Sequence, residues 1–296
     1  MEKIIETILF FNRCLFEERG HNDDIIEAAN DIINAIKDSD EFAKFVKNPE
    51  EGACFPFVVE NGTFFSKAMI DIIWRESHAT YYNGGYNALT AVFDKEKDIF
   101  EIPIRITIES DNLKYFLRFT GAAIAHELMH AYEDYQRRLK GGNGLSHLGV
   151  NGGYAETVKG LSSTQAVVRK LSDIIYGTRQ SELNAQINQA YKEIVDMDFA
   201  GANKTIITAK AKETSAYQIY LRVLNDLDYL RNITDKEMQK EVLDFFNEKI
   251  SPKMKVYSYI FLMTLLTSRV EKYKKRFDNK FFKVLFDAIY NTVGYL

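Results

Sequence analysis

Two histidines and a glutamate lie together near the middle of the chain, in the run His126-Glu127-Leu128-Met129-His130. Residues four apart lie on one face of a helix, so both imidazoles can reach the same metal ion. Imidazole nitrogen suits zinc, and a catalytic zinc site needs three protein ligands and an open position for water. Glu127 follows the first histidine, where its carboxylate can take a proton from that water. The spacing therefore predicts two zinc ligands, His126 and His130, and a general base, Glu127.

The residues around this motif favour a buried helix. Ala-Ala-Ile-Ala precedes it and Ala131 follows it, whereas a motif formed by chance on a surface would have charged neighbours. The helical pattern extends from Asn112 to Lys140 and ends at a glycine-rich stretch, a strong C-terminal stop. The alternative interpretation is a pair of core histidines at helical spacing beside a salt-bridged glutamate.

A third ligand must come from elsewhere in the chain. A metzincin would place a glycine and a third histidine within a few residues of the motif, but this chain continues Ala131-Tyr132-Glu133-Asp134. The other option is a glutamate on a second helix. Glu182 is the best candidate, because Ser181 could cap a helix that runs to about Val195. The alternative for Glu182 is an ordinary acidic residue at a helix start, and its rivals as ligand are His147, Glu156 and Asp173.

A glycine-rich loop spans residues 141–160 and contains both His147 and Tyr154. Long loops in compact domains are often functional. Either side chain could donate a hydrogen bond that stabilises an oxyanion next to the metal. For each, a loop residue without a role is the alternative interpretation.

The rest of the sequence predicts a mainly helical α+β protein with a small mixed sheet. Residues 25–36 place isoleucines on one helical face, and residues 68–74 are predicted to be helical. A hairpin with an Asn61-Gly62 turn is predicted over residues 53–65, and two strands over residues 87–108. Because Pro103 has no N–H, the second of these strands should lie at a sheet edge. We expect domains at residues 1–204 and 205–296, the second entirely helical.

Composition excludes several classes of protein and partner. The net charge of -4 gives no basic face for nucleic acid. The basic cluster of residues 269–276 has helical spacing and acidic neighbours, which indicates a solvated helix face. The sequence contains neither a signal peptide nor an apolar stretch of about 20 residues, so we expect no membrane association. Two cysteines, Cys14 and Cys54, suggest buried free thiols in a reducing, intracellular or cytoplasmic compartment.

The His126–His130 motif and the segment around Glu182 resemble the zincin metallopeptidases, specifically the gluzincin-like branch. In that branch the third ligand is a glutamate on a following helix. The resemblance covers about residues 85–195, including the motif helix and the run Ser181-Glu182-Leu183-Asn184-Ala185. It implies a zinc peptidase with His126, His130 and Glu182 as ligands. It also implies that an edge strand, residues 99–106, lies beside the cleft and pairs with a peptide or protein substrate.

The resemblance has one departure. A thermolysin-like third-ligand motif has an asparagine before the glutamate and an aspartate four residues after it. This chain has Ser181 and Gln186 at those positions, and Gln186 could orient a ligand without supplying the same charge.

A second function class is open at this point. About a hundred helical residues, rich in tyrosine and phenylalanine, follow the motif region and exceed what a minimal peptidase needs. They suggest a structural or assembly subunit, for example of a viral particle, built on a zincin-like domain. Localisation in a virion would then be expected, with or without peptidase activity.

Overall fold

The computed structural model describes residues 22–48, 54–77, 81–109, 116–142, 166–197, 204–251 and 255–293. Its helices, in chain order, are α1 (Asp23–Lys37), α2 (Asp40–Lys47), α3 (Phe116–Leu139), α4 (Ala166–Gly177), α5 (Gln180–Val195), α6 (Lys204–Ala211), α7 (Ser215–Arg231), α8 (Lys236–Phe245) and α9 (Tyr259–Val293). A π-helical turn, Phe246–Ile250, follows α8 directly. The strands are β1 (Cys54–Glu60), β2 (Lys67–Arg75), β3 (Tyr81–Tyr86), β4 (Val92–Asp94) and β5 (Ile99–Glu109). The described chain is therefore mainly helical with a small sheet, as expected for an α+β protein.

The sheet is mixed and has the strand order β1-β2-β5-β3, with β4 also paired to β5. β2 and β5 run parallel, and the other pairs are antiparallel. Every second residue of the two central strands is buried: Ala68, Ile70, Ile72 and Trp74 in β2, and Phe100, Ile102, Ile104, Ile106 and Ile108 in β5. Helix α3 packs against β3 and β5, so the sheet supports the helix that carries the motif.

The predicted helix over residues 68–74 is wrong, because this segment is the central strand β2. The apolar run fits both periods, but burial alternates along it with a period of two. Pairing with β1 on one side and with β5 on the other makes this segment a strand. A prediction from local periodicity does not include these partner strands.

The predicted edge strand over residues 99–106 is also wrong, because β5 lies between β2 and β3. On the β3 side, pairing stops at Tyr86 and resumes only at Val92, the start of β4. Pro103 lies in this gap, where its carbonyl accepts a hydrogen bond from the N–H of Asn87 at 3.1 Å. The N–H and C=O of a strand residue point to the same side. The missing donor of Pro103 therefore faces the gap and interrupts no strand pair.

The predicted hairpin is confirmed in its first strand, but not in its turn or its second strand. Asn61 has a φ of 58°, but Gly62 does not have the positive φ that a two-residue Asn-Gly turn requires. The chain then takes residues 61–66 to return, and β2 begins at Lys67 rather than within residues 61–65. Cys54 opens the edge strand β1 with its side chain exposed, which corrects the expectation of a buried thiol; Cys14 lies outside the described residues.

The isoleucine face predicted over residues 25–36 is confirmed in helix α1, where all of its isoleucines are buried. Asn22 caps this helix by accepting a hydrogen bond from the N–H of Asp24. Helix α1 packs on α3, which places a second apolar layer behind the motif helix.

The chain divides into two compact units. The first comprises Met1–Ser146, Asn184–Thr214 and Lys280–Leu296 and contains the sheet with α1, α2 and α3. The second comprises His147–Leu183 and Ser215–Asn279 and is built around α4, α7 and α8. The predicted domains 1–204 and 205–296 stay a prediction.

Within the described residues, no helix combines the length and the apolar composition that crossing a membrane requires.

Candidate metal centre

The motif lies in the middle of α3, and small buried residues precede it on this helix. Gly121 and three alanines before the motif are buried, so the backbone of α3 approaches its neighbours closely. The helix ends as the sequence predicts. Gly141 has a φ of 79°, and its N–H donates to the carbonyl of Arg138 at 3.0 Å.

The two histidines point their Nε2 atoms at each other. These atoms lie 3.3 Å apart, with the rings nearly perpendicular at 74°. His130 is buried, with 6% of its surface exposed, and His126 is half-buried. Helical spacing of four residues thus brings two imidazole nitrogens to one point, as the sequence predicts.

Glu182 joins this pair from helix α5. It lies in the first turn of that helix, as predicted, and only 2% of its surface is exposed. One ligand atom from each of His126, His130 and Glu182 lies within 4.8 Å of the other two. Among the residues that the structure describes, this is the only cluster of its kind, and it could hold a metal ion. Asp173, a rival for the third ligand, is half-buried in α4 and is not part of it.

Buried polar side chains on α5 form hydrogen bonds that orient the first histidine. Nδ1 of His126 lies 2.9 Å from Oε1 of Gln189, and the Gln189 amide donates to the carboxylate of Glu193 at 3.2 Å. An amide oxygen can only accept, so this contact places the His126 proton on Nδ1 and leaves Nε2 with its lone pair. Gln189 and Glu193 are at most 3% exposed, so little solvent competes for these bonds.

Glu127 contacts the strand β3 rather than helix α5. Its Oε2 atom accepts a hydrogen bond of 2.7 Å from the backbone N–H of Tyr86, the last residue of that strand. Its other oxygen, Oε1, lies where a side chain on Gly84 would be. A Cβ atom at Gly84 would be 2.7 Å from Oε1, whereas one at Gly85 would have no described atom within 4 Å. The absence of a side chain at Gly84 therefore makes room for the Glu127 carboxylate.

The phenol of Tyr86 binds a second carboxylate on the same helix. Its hydroxyl donates to Oδ2 of Asp134 at 2.6 Å, and Arg138 donates to the same oxygen at 3.0 Å. Arg138 also donates to the carbonyl of Ala88, just beyond the strand. Burial, and then the hydrogen bond to Asp134, raise the pKa of Tyr86 above its usual range, so the phenol stays protonated as the donor. Tyr86 is thus bound to α3 through both its backbone and its side chain.

The structure places some of the predicted site residues and not others. His126, Glu127, His130 and Glu182 lie together, whereas His147, Tyr154 and Glu156 lie outside the described residues. Gln186 is buried on α5, and its predicted part in orienting a ligand stays a prediction; Gln189 contacts His126.

Sequence reasoning missed the supporting residues Gly84, Tyr86, Asp134 and Gln189. Two of them had a signal in the sequence. Gln189 lies seven residues after Glu182, and Asp134 seven residues after Glu127, so each shares a helix face with a predicted site residue. The strand residues had none, because only the fold brings Gly84 and Tyr86 to the motif.

Comparisons of this chain with protein-family models, with curated proteins and with solved structures find no match.

Proposed function

We propose that this chain is a zinc-dependent peptidase. The observation that carries the proposal is the separation of 3.3 Å between the Nε2 atoms of His126 and His130, with Glu182 beside them. Two ligands of a tetrahedral zinc ion lie roughly 3.3 Å apart when each bond is about 2.0–2.1 Å. Two imidazoles and one carboxylate are also the donor set of catalytic zinc sites that keep a position open.

The polar contacts around the cluster support zinc further. A neutral imidazole with its lone pair on Nε2 is the form that binds a metal, and Gln189 favours that tautomer of His126. When bound, zinc supplies a Lewis acid that polarises a carbonyl group and lowers the pKa of water to about 7.

Glu127 supplies the proton transfers in this proposal. Its carboxylate takes a proton from the attacking water, the water oxygen bonds to the peptide carbonyl carbon, and the C–N bond breaks. The same proton then passes from Glu127 to the leaving amine. The hydrogen bond from Tyr86 fixes one carboxylate oxygen, so the other remains available for this transfer.

Strand β3 is the surface that fits an extended peptide substrate. It lies at one end of the described sheet, antiparallel to β5, and its last residue binds the proposed base. A peptide that added a further strand there would place its backbone beside Glu127. Peptide pairing is therefore proposed for β3 rather than for residues 99–106, whose strand is paired on both sides.

Metal content and peptidase activity, measured together, test the proposal. We expect about one zinc per wild-type chain by elemental mass spectrometry, and none in His126→Ala. Glu127→Gln should retain zinc and lose peptide hydrolysis, because an amide cannot accept the proton. A wild-type protein that binds no added zinc, or a Glu127→Gln variant that stays active, would refute the assignment.

An assembly subunit is the second candidate function. Tyr257, Ile260 and Phe261, near the start of α9, expose 90%, 80% and 53% of their surfaces. Such a group of exposed apolar side chains is typical of a contact surface. The mass of the purified protein in solution tests this candidate: a strict monomer at high concentration speaks against it.

A further inference from the structure

A cavity of about 560 Å³ lies in the second unit, between the α4–α5 junction and helix α9. Four basic side chains line it: Arg179, Arg269, Lys272 and Arg276. Among the described residues that line it, none is an aspartate or a glutamate. A cavity with this charge is unexpected in a chain whose net charge is -4.

Helical register divides the basic cluster of residues 269–276 into two sets. Arg269, Lys272 and Arg276 follow the spacing i, i+3, i+7, and all three face the cavity. Lys274 and Lys275 do not line it and are exposed. All five basic residues are exposed, as the predicted solvated face requires, and three of them also line the cavity.

Within the described part of the chain, the hydrogen bonds of the two arginines from α9 go to neutral atoms. Arg269 donates to the hydroxyl of Thr178 and to the carbonyl of Ile175, and Arg276 donates to the amide oxygen of Gln180. These bonds orient both guanidinium groups without neutralising them. Desolvation by the surrounding protein, and then the neighbouring Arg179, lower the pKa of Arg269.

Part of the remaining wall of the cavity is apolar. It includes Leu183 and Phe246, both buried, and Leu265 and Leu266 from α9. An ion held by the basic side chains would therefore lie beside a hydrophobic surface that can cover an attached organic group.

We propose that this cavity binds a small organic anion, in which a phosphate or carboxylate group is attached to an apolar body. Arginine presents paired donors that match both groups, and several cations around one cavity favour an anion over a neutral ligand. The proposal concerns a site separate from the metal cluster and does not depend on peptidase activity.

Isothermal titration of the full-length protein at constant ionic strength tests this proposal. The probes are phenyl phosphate, phenylacetate, inorganic phosphate and benzyl alcohol. We expect at least one of the two aryl anions to bind more tightly than inorganic phosphate, and benzyl alcohol not to bind. Comparing phenyl phosphate with phenylacetate shows which anionic group the cavity prefers.

Charge variants show whether binding occurs at this cavity. Lys272→Gln and Arg276→Gln should each weaken the preferred aryl anion about tenfold, because each removes one charge-assisted contact. Lys275→Gln, on the same helix but outside the cavity, should leave binding unchanged.

Three results would overturn the proposal: no binding of either aryl anion, equal weakening in Lys275→Gln, or affinity unaffected by Lys272→Gln and Arg276→Gln. The last result would include an anion bound at a metal ion in the His126 cluster, because that cluster lies outside the lining of the cavity.

Discussion

Two functional side chains of helix α3, His126 and Glu127, have different kinds of hydrogen-bond partner. His126 contacts a side chain, the amide of Gln189, on another helix. Glu127 contacts a main chain, the N–H of Tyr86 at the end of a strand. The first contact orients a ring through a group that a single substitution can remove. The second uses a backbone donor that no substitution except proline removes.

This difference separates the two tasks of the proposed site. Substitutions around the histidines should change the affinity for the metal. Substitutions around β3 should change the rate of proton transfer by Glu127 while the metal stays bound. Substitutions on each side can therefore break or sharpen the comparison.

The largest effect is expected for the ligand that lies outside α3. Glu182→Gln should lower zinc affinity roughly a hundredfold to a thousandfold, since the total binding free energy of about 10–16 kcal/mol is shared among few ligands. Competition with a chelating dye measures this affinity. Asp173→Asn is the matched control, because Asp173 was a rival ligand in the sequence and is not in the cluster. Loss of zinc in that control, with zinc kept in Glu182→Gln, would show that Asp173 and not Glu182 is the third ligand.

The next largest effect is expected in strand β3, where substitutions of two neighbouring glycines can be compared. Gly84→Ala should lower kcat for peptide hydrolysis about a hundredfold with zinc retained, because its methyl group would displace the Glu127 carboxylate. Gly85→Ala should leave kcat close to the wild-type value, since its methyl group meets no described atom. Equal losses in the two variants would show that strand flexibility, and not the position of Glu127, is what matters.

The smallest effect is expected behind the first histidine. Gln189→Leu should lower zinc affinity about tenfold to a hundredfold, the usual range for a group that orients a metal ligand. Gln186→Leu, one turn earlier on the same buried helix, should change it less. If Gln186→Leu has the greater effect, the sequence-based assignment of Gln186 is the better one and the His126–Gln189 contact is incidental.

The predictable part of the site is the part encoded within single helices. Helical spacing alone brings His126 and His130 to one point. Glu182 lies in a first turn as predicted, although α5 begins at Gln180, so Ser181 lies inside the helix and is not its cap. The small residues before the motif also indicate correctly that α3 is buried. Local periodicity was sufficient because each of these statements concerns one element.

The unpredictable part depends on which strands are neighbours. The run from Ala68 to Trp74 suits a helix or a strand, and its pairing with β5, more than 30 residues away, decides between them. Pro103 indicates an edge only if the partner strand is continuous, and here the partner changes from β3 to β4 beside it. Gly84 and Gly85 are indistinguishable in the sequence, since only the position of Glu127 gives them different surroundings.

The parallel pairing of β2 with β5 has a consequence for the order in which the chain folds. Parallel neighbours need a long crossover, which here includes β3 and β4, and such non-local contacts form slowly. His126 and His130 are only one helical turn apart, so zinc can meet both before the sheet is complete. We therefore expect zinc to increase the refolding rate of the wild type but not that of His126→Ala, which stopped-flow fluorescence would measure. The metal would then act first as a nucleus for folding and only later as part of a site.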